Sequence, residues 1–525
     1  MSHCVRTFFA LLMFLVVAGS SDPAGSGRVR QGSRDPTSIT TKKPGSIGRS
    51  VRRMTLADAR AVLVALGEHV PSDLRPSSQD LDRDWATWVD RRNVEIRARI
   101  AKGDEDSVVN LMLYGTRFTR WPRATPDAIA ASAVAVPLDR VMEGRVVDLA
   151  TAIESPGGDE RLQFARQVVE RHGIDVGASS RDATRRYLIE LRSRVLSENE
   201  GYMRRMAAIP AADGSQQRAA HATLYRDRGL SSDTSLRINF ALEQALAAAH
   251  DRGELSRPFE RIAVVGPGLD FVDKAQGYDF YPVQTIQPFA LADSLLRLDA
   301  AERPTVTAFD IGPRVLAHLH DARQRAERRQ PYRLNVLLEQ DGAGVRLDPA
   351  LVAYWRRFGD HLGAGTAGEV PAGYGGQVRA RAVNLRPNAV LDVSGAELNI
   401  VLERLANGDG TSRFDLVVAT NVLVYYDSFE QALAVSNMAS MLRDGGILMT
   451  NQPVPVPAVC GLSPMLIMSV GLGRVESEAG SRERADSIFV YRRSYQLSAI
   501  RRDRESGHRP SGPRTSGPAE RNGFP

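Results

Sequence analysis

Beyond Pro258 short apolar runs alternate with helical stretches, and few folds accept that rhythm. Residues 261–265, 305–309, 378–383, 414–419, 447–450 and 487–492 read as strands. Residues 284–298, 314–328, 396–406 and 429–442 read as helices. Strands that take turns with helices pair in parallel, because each helix carries the chain back across a sheet face. The predicted class is therefore α/β, a Rossmann-like doubly wound sheet, mostly parallel. The stretch 341–377, broken by Gly and Pro, reads as an insertion or lid.

Upstream, from 55 to about 253, apolar spacing is helical throughout. Thr55 caps a helix with Leu56, Ala59, Leu63 and Leu66 on one face, and Gly67 stops it. Trp85, Trp88 and Val89 open a second helix, and Val108, Val109, Leu111 and Met112 belong to a third. A fourth carries Leu162, Ala165, Val168 and Val169 and ends at His172-Gly173; longer ones follow at 181–206 and 234–250. An all-helical domain thus precedes the sheet.

The first residues read as an address. Met1 to Arg6 carries one positive charge, residues 7–18 are apolar, and Gly19-Ser20-Ser21 offers small residues for cleavage, the pattern of a secretory leader. Twelve apolar residues fall short of the roughly 20 that a helix needs to cross a bilayer, so no stable span is expected after cleavage. Residues 22–53 and 499–525, rich in Gly, Ser, Pro and Arg, read as disordered tails. The division is then 1–21 leader, 22–53 basic linker, 54–255 helical domain, 256–498 Rossmann-like domain and 499–525 tail.

Charge has to be located before it is interpreted. The chain is net +6, but the basic excess sits in the leader and tails, and residues 54–500 count to −4. A mildly acidic body is a poor partner for nucleic acid. Only four basic residues are lysines, and Arg-rich, Ala-rich usage of this kind is common in GC-rich bacterial genomes. Cys4 and Cys460 form no disulfide framework, and nine histidines show no zinc spacing, so no metal site is expected. His318 and His320, two apart on a helix, are expected at the solvated surface.

In doubly wound sheets ligands bind beyond the carboxyl ends of the strands. After the first strand comes Gly266-Pro267-Gly268, where missing side chains admit a ligand to the backbone. After the second comes Asp310, suited to accept both hydroxyls of a ribose. The third ends at Asn384-Leu385, facing an adenine edge. The fourth ends in the run 420–427, with Asn421, Tyr425 and Tyr426. In that order they favour an adenosine-containing ligand. A dinucleotide fits poorly: Phe271 occupies the third glycine of the fingerprint, and Asp310 lies 44 residues past Gly266 instead of about 20.

Residues 258–455 resemble class I S-adenosylmethionine-dependent methyltransferases, and within them the chemoreceptor glutamate methyltransferases. Gln287-Pro288-Phe289 followed by Ala290-Leu291-Ala292 is similar to that family's Glu-Pro-Tyr-Ser helix, Phe309-Asp310-Ile311 to its Thr-Asp-Ile turn, and Pro331-Tyr332-Arg333-Leu334 to its Tyr-Arg stretch. Asn384-Leu385 resembles its adenine-side Asn-Leu, the run from Asn421 to Asp427 its Asn-Val-Leu-Ile-Tyr-Phe-Asp segment, and Gly445-Gly446 its turn into strand five. The resemblance implies S-adenosylmethionine as cofactor, bound by Gly266, Pro267, Gly268, Gln287, Asp310, Ile311, Asn384, Leu385 and Asn421. It places Asn421 and Tyr425 as catalytic residues beside the sulfonium and the acceptor, which would be a protein carboxylate or a small molecule.

Four positions depart from the pattern: Val264 stands for an acid, Asp270 for the third glycine, Gln287 for Glu, and Thr420 for Arg. The family's basic-aromatic substrate motif is not evident in the N-terminal helices. Leader and cofactor also point to opposite compartments, export for one and cytoplasm for the other. A second expectation therefore stands beside the enzyme: an exported, non-catalytic methyltransferase-like binding module.

Overall fold

The computed structural model describes residues 51–75, 80–124, 137–208, 228–230, 236–255, 258–272, 277–340, 344–406, 413–477 and 480–494. The leader, most of the basic linker and the C-terminal tail lie outside the described residues. Among the described residues no helix is long and apolar enough to cross a membrane.

An eight-stranded sheet forms the centre. Its strands are β2 (Arg261–Val265), β3 (Thr305–Asp310), β5 (Val345–Leu347), β8 (Val393–Glu397), β10 (Phe414–Ala419), β11 (Leu442–Thr450), β12 (Leu462–Ser477) and β13 (Gly480–Arg493). Across the sheet they run β8-β3-β2-β10-β11-β13-β12-β5. The first five are parallel, and β13, β12 and β5 are antiparallel additions. The chain starts at β2, winds outward through β3 to β8, then returns to β10 and β11 on the other side. The order reverses between β2 and β10, and a crevice opens there beyond the strand ends.

Alternate residues of these strands feed two cores. Ile262, Val264, Val306, Ala308, Leu416 and Val418 share one, beneath the helices Leu236–Asp251 and Gln287–Arg297. Ala263, Val265, Phe309, Val417 and Ala419 share the other, with the helix Ser428–Met441. Burial on both faces is why these strands read as unbroken apolar runs.

The second core also takes in the N-terminal helices α1 (Leu56–Leu66) and α2 (Leu81–Tyr114) through Leu56, Val62, Trp85, Trp88 and Ile96. Thr55 and Asp58 form a capping box at the start of α1, and Gly67 ends it. Helix α2 is a single helix of 34 residues, where two were expected. Its second half joins a third core with the helices α3 (Leu138–Ala152), α4 (Glu160–Arg171) and α5 (Arg181–Ala208), through Val108, Met112, Val146, Val168 and Leu188. Val51–Arg53, expected in the disordered linker, forms strand β1 and pairs with β9 (Glu403–Leu405).

Two further expectations fail, for readable reasons. Residues 378–383 do form a strand, β7 (Val378–Leu385), but it lies in a separate antiparallel sheet between β4 (Tyr332–Glu339) and β6 (Gly363–Ala367). Arg379 and Arg381 interrupt it with period two, the mark of a one-sided strand and not of a buried parallel one. The third parallel strand is β8, whose polar Val-Ser-Gly-Ala-Glu is tolerated because it is a mostly exposed edge. Residues 396–406 form no helix. Leu398, Ile400, Val401 and Leu402 are all buried, so there is no polar face, and the Asn399 side chain accepts from the N–H of Val401 (3.2 Å), which competes with helical bonding.

Candidate active site

The crevice at the switch point opens to solvent and encloses about 770 Å³ of empty space, part of it open solvent. Its floor is the first turn. Gly266 and Gly268 have φ of +67° and +65°, the left-handed region that side chains avoid. A Cβ on Gly266 would stand 2.3 Å from Val422 Cγ2, so the fourth-strand loop also requires glycine there. Pro267 is buried inside the turn and does not reach the cavity wall. Asp270 is not on the wall either: its carboxylate accepts from Tyr281 Oη (2.9 Å) and Gln284 Nε2 (2.8 Å) in the interior. Asp270, which stands where a third glycine was expected, is thus a structural tie behind the turn.

Asp310 stands at the end of β3 on the cavity wall. Burial pushes its carboxyl up to about 6, against the opposing pull of the backbone N–H groups of Gly312, Ile311 and Gly268. The Gly312 N–H donates to Oδ1 at 2.7 Å and fixes the side chain. Ile311, Leu398 and Ile400 make the apolar wall beside it.

The end of β10 forms the far wall. Asn421 is one of three described non-glycine residues with positive φ, at +59°. Asn451, just past β11, holds it there: Asn421 N–H donates to Asn451 Oδ1 (2.9 Å), and Asn451 Nδ2 donates to Asn421 Oδ1 (2.7 Å). Gln287, at the start of its helix, donates Nε2 to Thr420 Oγ1 (2.7 Å), so two walls are joined inside the cavity lining. Tyr425 is half-buried and lines the mouth, while the ring of Tyr426 is buried and its phenol is pushed up by desolvation.

Helix α2 braces this loop from the N-terminal side. Arg92 makes a paired, buried ion bridge to Glu430, whose other role is the capping box with Asp427 that starts the following helix. Arg99 Nη2 donates to the carbonyl of Tyr425 (2.8 Å). Ile100 and Leu230 complete the wall.

Gly266, Gly268, Gln287, Asp310, Ile311, Asn421 and Tyr425 therefore come together on one cavity. Asn384 and Leu385 do not. They end β7 in the small sheet, opposite Arg333 and Tyr332, and the place expected for them is taken by Leu398 and Ile400. A second Asn-aliphatic pair, Asn399-Ile400, was the available signal, hidden because its segment reads as helix. Asn451, Arg99, Ile100 and Leu230 carried no motif. His318 is half-buried, its Nε2 2.8 Å from Tyr332 Oη, so of the two histidines only His320 is on the surface. Among the described residues no cluster of His, Cys, Asp or Glu is placed to hold a metal.

No protein-family model matches the chain, and no curated protein matches its sequence. Solved structures that align with part of the chain include the N-methyltransferase NodS from Bradyrhizobium japonicum WM9, at 13% identity over 49% of this chain and 96% of that one, TM-score 0.23. The magnesium protoporphyrin IX methyltransferase ChlM from Synechocystis PCC 6803, solved with bound SAM, matches at 14% identity over 56% and 89%, TM-score 0.23. TehB from Haemophilus influenzae matches at 11% over 47% and 62%, TM-score 0.22. Likenesses this slight leave the chemistry to be decided by the crevice itself.

Proposed function

We propose that the chain is an S-adenosylmethionine-dependent methyltransferase acting on a protein carboxylate or a small molecule. The observation that carries this reading is one crevice, at the reversal of strand order, shared by a glycine turn, a lone carboxylate after the second strand and a polar-aromatic loop after the fourth. The residues present suit the cofactor. A Cβ on Gly266 would overlap Val422 of the same wall, and among the described residues Asp310 is the one acidic side chain that lines it. Ile311, Leu398 and Ile400 offer the apolar slot an adenine needs.

S-adenosylmethionine, when bound, supplies a methyl group on an already activated sulfonium. The protein then has to align and to exclude water. Gly266 and Gly268 admit the ligand to the backbone, Asp310 accepts the ribose hydroxyls, and Gln287 offers its remaining amide oxygen beside the turn. Tyr425 stands where its ring face can close over a cation or its hydroxyl can orient an acceptor. Among the described residues no histidine, lysine, cysteine or glutamate lines the cavity. General-base help is therefore slight, which suits an acceptor that arrives already nucleophilic.

Calorimetric titration of the full chain with S-adenosylmethionine and S-adenosylhomocysteine tests the proposal. Binding in the micromolar range is expected. No heat at millimolar ligand leaves the non-catalytic module as the better reading.

A further inference from the structure

The wall beside the fourth-strand loop is built from the helical half of the chain. Leu230 N–H donates to the carbonyl of Arg99 at 2.8 Å. Arg99 in turn donates Nε to the carbonyl of Arg228 and Nη2 to that of Tyr425, each at 2.8 Å. One guanidinium thus fastens the strap 228–230 to the loop that carries Asn421 and Tyr425.

The strap can lie this low because two glycines face each other. A Cβ on Gly103 of α2 would stand 2.0 Å from the Leu230 carbonyl oxygen, and one on Gly229 would stand 2.5 Å from the Gly103 nitrogen. A glycine inside a helix is unfavourable relative to alanine. Here that cost is accepted where it seats Leu230, together with Ile100, in the cavity wall next to Tyr425.

Once Asp310 is assigned to the ribose, the wall around the strand-four loop is the polar set Gln287, Thr420 and Asn421 and the apolar and aromatic set Ile100, Leu230, Val422, Tyr425 and Tyr426. Among the described residues it holds no lysine, arginine or histidine that would grip a phosphate or an acidic chain, and most of its surface is aliphatic and aromatic. We infer that Ile100 and Leu230 are specificity-determining residues that seat the apolar body of the methyl acceptor. The acceptor is then a small molecule whose nucleophilic group is carried on an apolar frame, not a protein carboxylate. This rests on the transferase reading and narrows it.

The test uses the full chain and two ligands, S-adenosylhomocysteine and para-hexylphenol as an apolar-bodied probe, each titrated alone and in the presence of the other. The wild-type chain binds both at once. Leu230→Ala and Ile100→Ala each remove three side-chain carbons and weaken the probe by about ten- to 60-fold, according to how fully the probe buries them, while the affinity for S-adenosylhomocysteine stays within about twofold. Gly229→Ala, which lifts the strap and Leu230 with it while changing no wall residue, weakens the probe similarly. The inference is overturned if the variants lose S-adenosylhomocysteine instead, since Leu230 and Ile100 then cover the nucleoside. It is also overturned if the wild-type chain binds S-adenosylhomocysteine but not the probe, or if a hydrophilic glutamyl peptide competes where the probe does not. A wild-type chain that binds no S-adenosylhomocysteine at all is a different result, and it removes the transferase reading underneath.

Discussion

Replacing Gly266 by alanine should damage the site in two separable ways. Its φ of +67° is unfavourable for any residue with a Cβ, at roughly 1–2 kcal/mol. The new methyl would also stand 2.3 Å from Val422 Cγ2, and relieving such an overlap in a packed place costs about 1–3 kcal/mol. The next nearest atoms are Val422 Cβ at 3.6 Å and Cγ1 at 3.8 Å, both ordinary contacts. Truncating Val422 therefore removes the clash and leaves the backbone cost. In a double-mutant cycle Val422→Ala should recover about 1–3 kcal/mol of what Gly266→Ala loses, or about five- to 150-fold where the loss is read as ligand affinity. Urea midpoints and S-adenosylhomocysteine titrations on the four proteins measure it. If the double variant is as impaired as the sum of the two singles, the contact with the fourth-strand loop is not what demands glycine, and the account of the cradle fails.

Ligand affinity should depend on Asp310. With its carboxyl at about 6, S-adenosylhomocysteine should bind with constant affinity above that pH and about tenfold more weakly per unit below it, because ribose hydroxyls need the ionised acceptor. Asp310→Asn should bind weakly at every pH and lose the dependence. For folding the sign is opposite: a carboxyl raised by burial opposes the folded state where it is charged, and that opposition fades as pH falls through 6 toward 4, which a melting series on the unliganded chain would register. Arg92→Ala, which leaves Glu430 buried without its cation, should cost about 3–5 kcal/mol in denaturant unfolding, and adding Glu430→Gln should restore part of it. Turnover should survive Tyr425→Phe and fall in Tyr425→Ala if the ring face is what acts; loss in Tyr425→Phe would assign the role to the hydroxyl.

The parallel strands whose residues are buried on both faces were legible, since nothing but apolar residues suits Ile262 to Val265 or Leu416 to Ala419. So were the residues that follow them, Gly266, Asp310 and Asn421, because strand ends are where such a sheet keeps its ligands. The edge was not legible. Strand β8 has one neighbour and a solvent face, so its Ser394 reads as loop and its Glu397 as the start of a helix, while the arginine-studded β7 reads as the strand the pattern needed. That exchange misplaced Asn384. Asn451 and Leu230 escaped for another reason: each acts through contacts with residues tens or hundreds of positions away, Asn421 and Arg99, and neither contact leaves a local periodicity.

Helix α2 has its first half in the core under the sheet and its second half in the helical bundle, over about 50 Å at 1.5 Å per residue. A single rigid rod anchored in both bodies forbids the scissor-like opening by which many two-part enzymes admit their substrates. Swinging one half away would mean snapping the rod, and its weakest joint, Gly103, is the place where the strap crosses. Ile100 of the rod, Leu230 of the strap and Tyr425 all line the crevice, so the element that ties the two cores together also supplies part of the cavity wall.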